Sequence, residues 1–407
     1  MRLRSMSRGL GFSLLVLMIT AWPQASAWAA VPEKTLCISP GEPNAYSRSN
    51  LIFDTAGDLY GTTGGFNGAG DPASIPNGTV FEVLRKPGGG WTCKQIYAFQ
   101  GGTDDGSVPI AGLTIDAAGN LYGTTDFGGT ANCGVVFELS PEPGGTWNET
   151  ILYDFIADSC GSASNLVFDN QGNLYGTTIG GGPGGDGTVF ELSPNQDGTW
   201  REQLLYGFSG YDGNVPAAGI TFDSAGNIFG TTEAGGLYDY GTVFELAPSP
   251  SGWSETTLHS FQNGTDGAAP IGGVTFDAEG NLFGTTNAGG NPPEGCCGTV
   301  FELTPNSDGT WAETIIYHFP RTGGEPRASV VFDAAGNLCG TTWAGHGAVF
   351  RLTLMPNGEW RPTAVYGFTG GRDGGNPYAS VTLDAANHLY GTTYDGGNGY
   401  GVVFEIP

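Results

Sequence analysis

The sequence predicts an all-β fold, a seven-bladed β-propeller of four-stranded antiparallel blades, and three observations carry that prediction. The tripeptide Gly-Thr-Thr occurs seven times, starting at Gly61, Gly123, Gly176, Gly230, Gly284, Gly340 and Gly391. The copies recur about every 54 residues, a length that suits a whole propeller blade better than one coil of a solenoid. The chain has 72 Gly, 12% aromatic and 13% charged residues. That is too aromatic for disorder and too rich in glycine for a helical bundle.

Residues 1–30 are read as a secretory signal peptide, with Arg2, Arg4 and Arg8 before the apolar run 10–19 and cleavage near Ala27–Ala30. The run is shorter than the ~20 residues that span a bilayer. No later segment is long and apolar enough to cross as a helix. Residues 31–407 are then a single propeller domain, expected to be secreted, extracellular or periplasmic, and monomeric.

Within each repeat four segments follow one another. In the second copy, Leu113-Thr-Ile reads as a short first strand. Asp116-Ala-Ala-Gly-Asn120 is a tight turn, with Asp bonding its own backbone and Gly supplying positive φ. Leu121–Thr125 is the second strand, Val135–Leu139 the third and Trp147–Phe155 the fourth. Apolar and polar residues do not alternate strictly, which implies sheets covered on both faces. The seventh copy stops after Val402–Ile406 and lacks its Trp-led fourth strand. Residues 34–38 resemble a fourth strand with no copy before it. They are predicted to complete blade seven and close the ring, removing an exposed sheet edge.

The motif Phe-Asp-x-x-Gly-Asn-Leu-Tyr-Gly-Thr-Thr at 168–178, followed by Gly-Thr-Val-Phe-Glu-Leu at 187–192, resembles the Gloeo/Verruco repeat family of secreted bacterial proteins. The resemblance implies a propeller and export, and it implies no defined activity. The turn is also similar to those of NHL-repeat propellers, a likeness of fold that does not fix function.

Formal net charge is −26, which excludes nucleic acid and anionic membrane as partners because both need a cationic face. Function should sit where the repeats vary: in the crossovers between blades and the loops joining second to third strands, which share one face of a propeller. The crossovers carry Asp104, Asp105, Asp212, Asp266 and Asp373 before glycine. These could ligate Ca²⁺, though an Asx turn accounts for each one alone; otherwise no cofactor is expected. Basic and aromatic exceptions gather late in the chain: Arg321, Arg327, Trp343, His346 and Arg372. They could meet the anionic group of an extracellular glycan, or a protein ligand. Glu233, Asp239 and Tyr240 are further binding candidates in a variable loop, and Glu233, Asp239, Asp126 and Glu294 are the non-repeated acids in these loops from which an enzyme would draw paired carboxylates.

The Glu after Val-Phe recurs in six copies and is read as an inter-blade hydrogen-bonding group; Arg351 replaces it in the sixth, where it either pairs with a neighbouring Glu or marks a break in symmetry. Cys133 and Cys160 are the expected disulfide, and Cys339 is expected buried and free. No Gly-x-Ser-x-Gly or His-Glu-x-x-His motif is present. The favoured reading is a non-catalytic binding propeller. A hydrolase or lyase acting on a polysaccharide or lactone, and a structural matrix component, are the alternatives.

Overall fold

The computed structural model describes residues 33–38, 46–64, 77–156, 160–161, 164–291 and 296–407. The signal-peptide reading and Glu294 lie outside them. Seven four-stranded antiparallel sheets follow one another along the chain. Blade one comprises Ile52–Phe53, Leu59–Thr63, Thr79–Arg85 and Trp91–Ala98, and the later blades repeat that order. The seventh is made by Thr382–Leu383, Leu389–Thr392 and Val402–Ile406, with Lys34–Ile38 as its outermost strand. Lys34 pairs with Glu405 and Ile38 with Val402, so the ring closes through the two ends of the chain as the repeat phasing predicts.

Each residue of the recurring motif has a mechanical task. The opening Asp accepts two backbone N–H groups through one oxygen, as when Ala118 and Asn120 donate to Asp116. The glycine after it takes φ near +88°, a region that costs other residues energy. The Gly of Gly-Thr-Thr lies under the Phe of the next strand. A Cβ on Gly176 would sit 2.8 Å from Phe190 Cζ, and at the other six copies it would come at least as close to the matching ring.

The first Thr ties blade to blade. Its hydroxyl donates to a backbone carbonyl of the following blade in all seven copies, from Thr62 to Ala111 at 2.9 Å through Thr392 to Ser49 at 3.1 Å. The last of these crosses the ring closure. The second Thr is fully buried and meets the first Thr of the third strand where that residue is present, as in Thr178–Thr188 at 2.7 Å.

The apolar core sits in the seams between blades. The Phe that ends each fourth strand packs edge-on against the third-strand Phe of the next blade, for example Phe208 on Phe244 at 5.1 Å. Farther out, the Trp of each fourth strand meets the second-strand aromatic of the previous blade, as in Tyr60–Trp147 at 5.9 Å. Across the closure, Trp91 does the same with Tyr390 at 6.0 Å.

Two disulfides add to this. Cys133–Cys160 joins the loop-rich face of blade two to the following crossover. Cys37–Cys93, which the sequence reasoning missed, fastens the closing strand of blade seven to the outer strand of blade one. Cys297 is disulfide-bonded as well, and Cys339 is buried and reduced.

The recurring Glu corrects its expectation. It lies opposite the second-strand aromatic of its own blade, Tyr in blades one, two, three and seven and Phe in blades four and five, and Tyr60 donates to Glu82 at 2.9 Å. The contact is cross-strand, within a blade. In blade six both partners change together, to Cys339 opposite Arg351. Arg351 then turns to Asp333 of its own turn at 3.5 Å, not to a Glu.

Candidate functional site at the channel mouth

One hydrogen bond repeated seven times builds the mouth of the central channel. The residue after Thr-Thr donates its N–H to a crossover carbonyl of its own blade, at 2.8–3.2 Å. The pairs are Gly64–Tyr46, Asp126–Val108, Ile179–Gly161, Glu233–Val215, Asn287–Ala269, Trp343–Glu325 and Tyr394–Asn376. Six of those seven acceptors take positive φ, from Ala269 at 53° to Gly161 at 82°, and all but the glycine hold that strained conformation with a side chain in place. The loop pair is thereby rigid, and the residue after Thr-Thr is free to vary. Two residues beyond each acceptor lies a second variable position, with Arg48, Ile110, Ala217, Ile271, Arg327 and Tyr378 among its occupants.

These second positions line the channel together with a narrower belt that includes Asn50, Asn165, Gly219, Gly273 and Ser329, enclosing about 140 Å³. Most of the wall is Gly, Ala and Ile. Its charged members are Arg48 and Arg327, and no acid lines it among the described residues.

The two arginines sit on either side of Tyr378, with guanidinium carbons 4.9 Å and 5.5 Å from its ring centre. Arg48 also lies 5.3 Å from Tyr394, and Arg327 lies 4.6 Å from Trp343. Trp343 is edge-on to both Tyr378 and Tyr394, and Tyr46 stacks flat on Tyr394 at 4.3 Å. Blades six, seven and one thus present one continuous aromatic surface carrying two cations. Each cation–π contact contributes about 0.5–2 kcal/mol, more where water is excluded. Glu325, with its side chain half-buried, is 4.0 Å from Arg327.

Asp126, from blade two, completes the cluster beside Arg48. Its Oδ1 is buried with no hydrogen-bond partner. Burial pushes its carboxyl up to about 7, against the pull of the Arg48 guanidinium. Near neutrality this group can give or take a proton, which an ordinary aspartate cannot.

The residues predicted from sequence divide. Arg327 and Trp343 meet here, and Glu233 occupies the same ring on the far side, in blade four. His346 and Arg372 share a separate open cleft at the edge of blades six and seven with Asp395. Arg321 is exposed in the crossover before blade six. Asp239 takes φ of 65° and accepts from the Gly235 N–H, a turn-forming role, and Tyr240 beside it is exposed. Arg48, Tyr46, Tyr378 and Tyr394 were missed. Register from Gly-Thr-Thr places them: Tyr394 directly follows Thr-Thr, Tyr46 is the carbonyl partner of the matching residue in blade one, and Arg48 and Tyr378 stand two residues past the acceptors Tyr46 and Asn376.

Four of the five candidate calcium aspartates serve the crossovers. Asp105, Asp212, Asp266 and Asp373 each accept the backbone N–H of Gln100, Ser209, Gln262 or Thr369, respectively. Tyr97, Tyr206 and Tyr366 donate to Asp105, Asp212 and Asp373, and His259 takes the tyrosine's place beside Asp266. A glutamate from the next blade stands close to each: Glu149, Glu255, Glu313 and Glu33. Asp104 is exposed and meets Thr103.

Residues 34–221 match the Gloeobacter/Verrucomicrobia repeat model. This stretch belongs to that repeat family. The same motif continues to the end of the chain in the four remaining copies. No curated protein is similar to the chain in sequence. Among solved structures, the periplasmic gluconolactonase of Pseudomonas aeruginosa shares the fold, with a TM-score of 0.51, 15% identity, and coverage of 78% of this chain and 85% of that one. A Bacteroides uniformis protein assigned by inference as a 6-phosphogluconolactonase does so with a TM-score of 0.51, 13% identity, and coverage of 83% and 89%. At these identities the likeness is one of fold.

Proposed function

We propose that this Gloeobacter/Verrucomicrobia-repeat propeller binds a small anionic carbohydrate, a sugar acid or the acidic end of a glycan, at the channel mouth. The observation that carries the proposal is the pair of guanidinium groups flanking Tyr378 in an aromatic wall, above a channel lined by no acid among the described residues. Guanidinium forks suit carboxylates. Trp343 and Tyr394 are half-buried in this wall, and the parts that Arg327, Arg48 and Tyr46 leave uncovered would meet the C–H side of a pyranose. On a chain of net charge −26, such a local reversal of sign selects an anion at short range and repels one at long range, so binding should tighten as salt rises from very low levels. Two disulfides suit an oxidising compartment, which supports the exported location where such ligands occur.

Asp126 favours a second reading. A carboxyl that titrates near 7 beside an arginine could activate water on a sugar lactone, and one protein of similar fold is a periplasmic gluconolactonase. Calorimetry with gluconate and glucuronate tests the binding reading. Arg48→Gln with Arg327→Gln should abolish heat, with the fold retained; full binding by the double variant would end the proposal. Release of acid from glucono-δ-lactone, lost in Asp126→Asn, would select the enzyme reading.

A further inference from the structure

At the seam of blades four and five the side-chain chemistry departs from that of every other described seam. His259, on the fourth strand of blade four, stands where Tyr97, Tyr153, Tyr206, Tyr317 and Tyr366 stand in other blades. Its Nε2 is 3.2 Å from Asp266 Oδ1 and 3.9 Å from Glu313 Oε1. One ligand atom from each of the three lies within 4.8 Å of the other two. Glu313 Oε1 is buried and receives no hydrogen bond. Asp266 Oδ2 is occupied by the Gln262 N–H, which fixes the carboxylate and leaves Oδ1 facing the imidazole. The cluster borders an open cleft lined also by Asn263, Thr265 and His318, so an ion and a water molecule can enter.

We infer that His259, Asp266 and Glu313 form a site for a divalent transition-metal ion, with zinc as the natural probe. Zinc takes nitrogen at about 2.0–2.1 Å and carboxylate oxygen at about 2.0–2.2 Å, commonly with three protein ligands and a water. Tetrahedral ligands on such an ion stand about 3.4 Å apart, as that geometry requires. The His–Asp separation already matches, and the His–Glu separation needs a shift within reach of one glutamate rotamer. Two carboxylates and one neutral imidazole balance the charge of a divalent ion. The seams at Asp105–Glu149 and Asp212–Glu255 have the acid pair with a tyrosine. The nitrogen ligand is what sets this one apart, since imidazole prefers transition metals to calcium. Its neighbours in sequence belong to strand and crossover, so the ion would staple two blades together at their outer rim.

The experiment uses the whole untagged chain, stripped with chelator and titrated with zinc chloride by calorimetry, with metal content after dialysis as a second readout. One zinc per chain is expected. His259→Tyr restores the hydroxyl that the other seams use and should weaken binding at least about 100-fold while keeping the fold. Glu313→Gln should do the same if His259→Tyr fails to fold. Wild-type protein that retains no zinc, or variants that bind it as the wild type does, would overturn the assignment.

Discussion

Gly176→Ala tests the packing logic of the blade most sharply. The added Cβ would lie 2.8 Å from Phe190 Cζ and 3.1 Å from Leu166 Cδ2, where carbon atoms prefer about 3.5–4.0 Å. Phe190 is 1% exposed and is itself held edge-on by Phe155 at 5.4 Å, so the ring has little room to retreat. Gly176 does not take positive φ, so backbone strain adds nothing and the loss of chain entropy in the unfolded state returns about 0.4–1 kcal/mol. Overpacking costs about 1–3 kcal/mol, and with the ring held on both sides the upper part of that range applies, which leaves a net loss of about 1–2.5 kcal/mol. Urea unfolding followed by tryptophan fluorescence gives the value. Phe190→Leu makes room for the new methyl, so the double variant should be more stable than additivity allows, by about 1 kcal/mol. Gly172→Ala is the control. It has φ of 87° with nothing within 4 Å, so its cost is backbone alone and Phe190→Leu should not relieve it. An unchanged midpoint for Gly176→Ala, or strict additivity with Phe190→Leu, would refute the reasoning.

Three further outcomes are expected. Cys37→Ser should lower the melting temperature by removing a link across 56 residues of sequence, worth about 4 kcal/mol of unfolded-chain entropy; an unchanged melting curve would mean that the strand pairing alone holds the closure. A chain beginning at Tyr46 loses the outer strand of blade seven and should unfold at a lower temperature and self-associate through the open edge, as light scattering would report. Stability should fall as pH rises from about 4 to about 7, because burial holds Asp126, Glu149 and Glu255 up to about 7 in the fold and the folded state binds more protons than the unfolded chain in that window. Asp169, Asp333 and Asp384 are held below their usual value by backbone and side-chain donors; their contribution is present above about 4 and is lost as pH falls further. Glu149→Gln should flatten the upper slope, and a melting temperature that rises from pH 5 to pH 7 would contradict the assignment.

The fold was legible because its rules are local and repeated. The Asp turn, the glycine under phenylalanine and the Thr bridge each recur seven times, and one missing strand at the C-terminus matched one surplus strand at the N-terminus. What the sequence hid was set by contacts between copies. The Glu of Val-Phe-Glu repeats as an inter-blade group would, yet its partner lies on the adjacent strand of its own blade. Arg351 was expected to meet a neighbouring Glu or to mark a break in symmetry, and register placed it opposite Cys339. The candidate site was half legible. Arg327 stood out in a chain with only 14 Lys and Arg, and Trp343 by standing in a loop and not at the head of a fourth strand, whereas Arg372 and His346 have the same chemistry on loops that point to the rim. Arg48 and Tyr378 were overlooked because they lie in crossovers, where no motif marks the register and only the backbone hydrogen bond from the residue after Thr-Thr to the residue two places earlier sets it.

The central claim is that the channel mouth takes an anionic sugar between two arginines. The most direct measurement is a crystal structure of the chain soaked with glucuronate. The account predicts its carboxylate between Arg48 and Arg327, with the ring against Trp343 or Tyr394 and Asp126 within hydrogen-bond reach. A mouth that stays empty at saturating ligand, or a sugar seated only in the rim cleft of His346 and Arg372, would contradict it.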